Sequence, residues 1–164
     1  MGLVQYNGEG LNETKVVWYE GTGTLKTGEV LCYDDDDTNA PVALPAGSLT
    51  VPPTSAILPR NLRGREVKDP ATAILYAVAG VVAAESSGLT GPGWVTLIVP
   101  RKGDAVTLFT NGNCTKGTTV LGAADATRTA SVVTDSGYNL PALAICLQTV
   151  DRSSTNGTVL AKFI

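Results

Sequence analysis

Between Ile74 and Leu121 the chain alternates short apolar runs, rich in β-branched residues, with breaks that carry glycine. Ala77-Val-Ala-Gly-Val-Val-Ala-Ala-Glu-Ser-Ser-Gly88 is followed by Gly91-Pro-Gly-Trp-Val-Thr-Leu-Ile-Val-Pro100. Ala105-Val-Thr-Leu-Phe109 and Thr118-Thr-Val-Leu121 come next, each after a polar turn. Runs of this length bounded by Gly, Pro, Asn and Ser form strands, and the gaps leave no room for a crossover helix. The stretch predicts a meander of short strands.

The rest of the chain repeats this logic. Lys15-Val-Val-Trp-Tyr19 and Glu29-Val-Leu-Cys-Tyr33 read as two early strands. Near the end, Leu143–Val150 and Thr158–Phe163 flank a turn over 151–157 that closes on Asn156–Gly157, a strong hairpin signal. Asp69-Pro-Ala-Thr-Ala has the makings of a short helix start, with Asp as cap and Pro at the first position. The β-branched run after it favours a strand from about Ile74.

A motif recurs three times: Lys26-Thr-Gly28 before Val30, Lys102-Gly103 before Val106, and Lys116-Gly117 before Val120. Each predicts a turn with a solvated lysine and a glycine free to take positive φ, followed by a strand entering the core. Shared hairpin chemistry explains the echo better than duplication.

The expected fold class is all-β. It is a small β-barrel or β-sandwich of short antiparallel strands, with an extended N-terminal arm and a long Pro-rich loop. At 164 residues the chain fits a single β domain, 1–164. Residues 1–14 are the arm, 38–72 the Pro-rich excursion, and 74–164 the main β core together with 15–33. Six of the nine prolines fall between Pro41 and Pro70. Proline cannot donate to a sheet ladder, so an extended excursion is expected there rather than central strands. Loops of that length inside compact domains tend to be functional. Arg60, Arg63, Arg65 and Lys68 place four of the twelve basic residues of an acidic chain in this one segment. They are the candidate partner-binding residues, weighed against a plain solvated loop.

Histidine is absent from the sequence. That removes Ser-His-Asp and Cys-His catalysis and imidazole metal ligation. Gly21-Thr-Gly23 and Gly91-Pro-Gly93 lead into no Gly-Lys-Ser/Thr helix start, so neither is a phosphate loop. Asp34–Asp37 is the one carboxylate run. Neighbours in an extended chain alternate sides, so four in a row cannot all face one ion. A solvated acidic loop is the leading reading, ahead of a weak cation site or a partner contact. No catalytic residue, metal site or cofactor is expected, and the chain is not expected to be an enzyme. A β-fold hydrolase working through carboxylates is the reading this sets aside.

The net charge of −3 argues against a nucleic-acid partner, which selects a basic face. The sequence lacks an apolar run near the roughly 20 residues needed to span a bilayer, so no membrane association is expected. The first residues show neither a basic, apolar leader nor the Ser/Thr at position 6 that myristoylation needs. Three cysteines, Cys32, Cys114 and Cys146, have no two close in sequence. They read as buried thiols of a protein made in a reducing cytoplasm. Three Asn-x-Thr sequons, at 12, 113 and 156, read as chance matches. Trp18 and Trp94 fall in predicted strands, where core or subunit-interface packing is the default.

Ala79-Gly-Val-Val82, Val95-Thr-Leu-Ile-Val99, Gly117-Thr-Thr-Val-Leu121, Ala144–Val150 and Gly157-Thr-Val-Leu-Ala-Lys-Phe163 together resemble the head decoration, or capsid cement, proteins of tailed bacteriophages. The likeness runs from Ala77 to the C-terminus, and its motifs are built of common small residues. It implies a compact β core, a homotrimer seated at local symmetry axes, and arms reaching over subunits of the major capsid protein. The implied role is to stabilise the shell from the virion exterior, after synthesis in the host cytoplasm. Residues 1–14 and 41–70 would then carry the capsid contacts, with Arg60, Arg63, Arg65 and Lys68 against an acidic shell. The Pro41–Pro70 excursion is long for that family. A tail or fibre component is the nearest alternative, although neither long repeats nor a coiled-coil stretch is present. A carbohydrate-binding β module is the other.

Overall fold

The computed structural model describes residues 13–34, 66–71, 77–124, 127–133, 142–152 and 154–164. Among the described residues ten strands carry the fold: β1 Glu13–Tyr19, β2 Val30–Tyr33, β3 Glu66–Lys68, β4 Val78–Val82, β5 Gly93–Val99, β6 Ala105–Thr110, β7 Val120–Gly122, β8 Ser131–Val132, β9 Ala142–Cys146 and β10 Gly157–Phe163. A 3-10 turn, Ala84–Ser86, sits between β4 and β5.

The first five strands close into a barrel in the order β1-β3-β2-β4-β5, and the last five form a sheet in the order β6-β10-β9-β7-β8. The all-β expectation holds. The pairing is antiparallel except between β1 and β3, which run parallel with Trp18 opposite Glu66. The meander reading holds only locally. β4 and β5 do pair, but β6 leaves the barrel to pair with β10, and β7 pairs with β9.

Strand alternation sorts the side chains into two cores. Val17, Tyr19, Leu25, Leu31, Val67, Ala79, Val82, Val95 and Leu97 fill the barrel. The intervening Val30 and Val81, with Val78 and Ile98, leave the barrel's outer wall and join Val106, Leu108, Leu121, Ala144, Val159 and Ala161 of the second sheet. The barrel is therefore buried on both sides where the sheet covers it. This explains why β2 and β4 read as continuous apolar runs rather than alternating ones. β4 keeps both faces in register through a slip, since Leu31 pairs with Gly80 and Cys32 with Val78. Gly80 sits where a Cβ would lie 2.6 Å from the Ile98 carbonyl oxygen, so the position needs glycine.

The recurring Lys-Gly turn behaves as expected. Gly28, Gly103 and Gly117 all have positive φ, at 87°, 98° and 76°, and the chain then enters β2, β6 and β7. Two boundaries move. Glu13 and Thr14, read as the end of the arm, belong to β1, where they pair with Val99 and Ile98. Glu66–Lys68, read as loop, forms β3 and supplies a barrel stave. Three residues between a charged run and a proline carry too little periodicity to be recognised as a strand. The β9 strand stops at Cys146 rather than running to Val150. The rest of the arm, and most of the excursion, lie outside the described residues.

Candidate functional site

The described residues that flank 35–65 meet at one place on the barrel. Residue 34 leaves β2 and residue 66 enters β3, and these strands pair antiparallel with Tyr33 opposite Val67. The Asp34 amide donates to the Glu66 carbonyl oxygen at 3.0 Å, and the Glu20 amide donates to that of Val67, also at 3.0 Å. Residues 35–65 thus depart from and return to adjacent points, as an insertion whose base is stitched by β1, β3 and β2.

Charged side chains surround this base. Val67 points into the barrel, so its neighbours Glu66 and Lys68 point away from it. Lys68 Nζ lies 2.5 Å from Asp34 Oδ1, with the Asp34 side chain 6% exposed. Glu20 joins them. Burial, the charges of Glu66 and Asp34, and a hydrogen bond to Asp34 push its carboxyl up to about 7, with Lys68 opposing. Lys15 donates to the Tyr33 hydroxyl and its ammonium lies 4.2 Å from the centre of that ring.

A second set of charges fixes the far end of β3. Arg128, in the connection between β7 and β8, reaches from the second sheet to the barrel. Its Nε donates to Glu29 Oε2 at 2.9 Å. Its Nη1 donates to the Tyr19 hydroxyl at 3.0 Å and to both Asp69 oxygens at 3.0 and 3.1 Å. Nη2 donates to the Thr24 carbonyl at 3.2 Å. Burial works against this charge, but the Asp69 hydrogen bonds and the charges of Glu29 and Asp69 outweigh it and raise the guanidinium's pKa. The Tyr19 hydroxyl also donates to Asp69 at 2.7 Å. Burial, with Asp69 beside it, pushes this phenol up to about 12. Asp69, which the sequence suggested as a helix cap, bonds Tyr19 and Arg128; residues 72–76, which would carry that helix, lie outside the described residues.

Of the four candidate partner-binding residues, Lys68 is held by Asp34 at the base of the excursion. Arg60, Arg63 and Arg65 lie outside the described residues. Of the Asp34–Asp37 run, Asp34 is this buried ion-pair partner rather than part of a solvated loop, and the other three lie outside the described residues. Among the described residues, no group of three or more His, Cys, Asp and Glu is arranged to hold a metal ion, and no helix is long and apolar enough to cross a membrane. Trp18 and Trp94 face each other across β1 and β5 on the barrel's outer wall, edge to face with ring centroids 5.4 Å apart. Val16, on the same face, is 58% exposed. Sequence reasoning missed Glu20, Glu29 and Arg128. Arg128 is a lone charge in an Ala/Thr-rich stretch, and no local pattern announces its partners 59 to 109 positions away.

No family model matches the chain, and no curated protein does. Among solved structures, the fold is similar to the N base of the head fiber gp8.5 of bacteriophage phi29. The TM-score is 0.53 at 9% identity, over 93% of this chain and 95% of that one. At that identity the likeness concerns the fold, and it spans both sheets.

Proposed function

We propose that this chain is a structural protein of a phage virion that attaches to the outside of the capsid. The observation that carries the reading is the end-to-end likeness to a head-fiber base. It agrees in kind with the resemblance that the strand-and-glycine motifs bear to capsid decoration proteins. Both support a small β body that belongs to a phage head. Within this reading the major capsid protein is the partner, the chain acts as a homotrimer, and the arm, residues 1–14, makes the contact together with the part of the excursion that lies between β2 and β3, within residues 35–65. Arg60, Arg63 and Arg65 supply the charge that meets an acidic shell, while Lys68 with Asp34 holds the base of the excursion.

A fibre base is a second reading, favoured by the same neighbour. The absence of long repeats weighs against a fibre shaft but not against a base, which needs none. The two readings differ in what stands on the chain, and they share the capsid contact.

Co-sedimentation of the purified chain with empty shells of the major capsid protein encoded in the same genome tests the shared contact. Wild type should pellet with the shells. A variant with 35–65 replaced by a short Gly-Ser linker should stay in the supernatant while keeping its β-sheet circular dichroism. Equal pelleting by both removes the excursion from the contact, and failure of the wild type to bind removes the capsid reading. Light scattering on the free chain should give three times the 16.9 kDa protomer.

A further inference from the structure

The dipeptide Asn-Gly occurs twice among the described residues, and the fold treats the two copies differently. Asn111–Gly112 forms the turn that leaves β6. Asn111 is exposed, and its Oδ1 accepts a long bond, at 3.5 Å, from the Ser131 hydroxyl. The Gly112 amide donates to the Thr110 hydroxyl at 3.1 Å, a contact inside the same turn. Asn156–Gly157 instead leads into β10, where Gly157 pairs with Thr110 in the β6–β10 ladder. Phe109 gives its amide to Gly28 and receives that of Ala130 at its carbonyl. Both bonds lie on the side away from β10, so the next residue, Thr110, turns its own amide and carbonyl toward Gly157. Arg152 covers the same glycine. Its Nη2 donates to the Thr158 carbonyl at 2.6 Å, and its Cζ lies 2.8 Å from where a Gly157 Cβ would sit. A third copy, Asn7–Gly8, lies outside the described residues.

We propose that Asn111 is a site of spontaneous deamidation, converting through a cyclic imide with Gly112 to aspartate and isoaspartate, while the β6–β10 ladder protects Asn156. The Gly112 amide nitrogen, once it has lost its proton to water or hydroxide, attacks Asn111 Cγ. The bond from Cγ to the side-chain nitrogen breaks, and ammonia leaves with a proton from solvent. Water then opens the five-membered imide at either carbonyl. One opening gives aspartate. The other gives isoaspartate, in which the main chain runs through the former side chain. One water is consumed and one ammonia released, with no oxidant or other reactant. Glycine favours the step because it presents no side chain to the closing ring. Exposure leaves the Asn111 side chain free to rotate over the Gly112 nitrogen, and the Thr110 hydroxyl can release that amide without moving a strand. Freeing the Gly157 amide requires the start of β10 to leave β6. The product gains a negative charge, and isoaspartate adds a methylene to the main chain. Gly112 is packed so closely on Val132 that a Cβ would lie 2.4 Å from Val132 Cγ2, so the longer turn is displaced from β8. The proposal goes beyond the virion reading and does not rest on it.

The test is incubation of the native full chain at mildly alkaline pH, beside a sample held unfolded in guanidinium chloride, followed by peptide mapping. Trypsin places the two sites on separate peptides, 103–116 and 153–162. Electron-transfer fragmentation locates the change and separates isoaspartate from aspartate. In the native chain, position 111 should convert at least about tenfold faster than position 156, with isoaspartate among its products. In the unfolded chain the two should convert at similar rates, because only the fold separates them. Equal rates in the native chain, faster conversion at Asn156, an intact Asn111 when the unfolded chain has converted, or an unfolded sample that keeps the native ratio would overturn the proposal.

Discussion

Replacing Arg128 by Met should separate the contribution of the inter-sheet ion network from that of the apolar cores. The Arg128 side chain is 18% exposed and its partner Glu29 only 5%. Methionine keeps the length and the apolar stem but removes every donor. Glu29 is then left charged and buried, with the Lys26 amide still donating to it at 2.9 Å. Removing one member of a buried pair costs about 3–5 kcal/mol. The low end applies, because Glu29 keeps that amide bond and because Asp69, 40% exposed, can turn to water. The expected loss is about 3 kcal/mol, which for a chain of this size lowers the melting temperature on the order of 10 °C. Urea denaturation followed by tryptophan fluorescence measures it, as a lower midpoint at unchanged slope. Adding Glu29→Gln to the Met variant should recover part of the loss, because the stranded group is then neutral. A single variant within about 0.5 kcal/mol of wild type, the range of ordinary surface substitutions, would refute the claim that Arg128 locks the sheets together.

Glu20 binds its proton more tightly folded than unfolded, because burial and the neighbouring carboxylates raise its carboxyl to about 7 from the ordinary 4.5. Between those values the native state holds more protons, so stability should fall as pH rises from about 4.5 to 7 and level off above. The drop is about 1 kcal/mol once solvent screening of this half-exposed group is allowed for, and Glu20→Gln should flatten that part of the urea-midpoint profile. Leu31→Ala in the barrel and Leu108→Ala between barrel and sheet each empty a fully buried site. Each should lower stability by about 3 kcal/mol in the same titration. Gly28→Ala should cost clearly more than Gly103→Ala. Both have positive φ, but a Cβ at 28 would lie 2.8 Å from the Phe109 nitrogen, while at 103 it meets nothing within 4 Å.

Much of the β structure was legible because local rules agree with the fold. The runs that became β1, β2, β5, β6 and β10 are apolar, β-branched and bounded by turn residues, and the Lys-Gly turns require glycine by backbone geometry alone. Pairing was less legible. β4 and β5 are sequence neighbours and pair, but nothing within Ala105–Thr110 says that its partner is Gly157–Phe163 rather than β5. β3 escaped because three residues carry no period. The site was hardest to read for a related reason. Asp34, Glu20 and Lys68 meet only because β1, β3 and β2 adjoin, and Arg128 meets Glu29 and Asp69 only because the second sheet packs on the barrel. Such contacts are set by tertiary packing, and charge spacing along the chain does not encode them.

The most direct test of the central claim is a cryo-electron microscopy reconstruction of virions from the phage whose genome encodes this chain. The account predicts density on the outer capsid surface into which the barrel and its covering sheet fit, with the end of β2 and the start of β3 turned toward the shell. Particles that lack the protein, or that carry it on the tail, would contradict it.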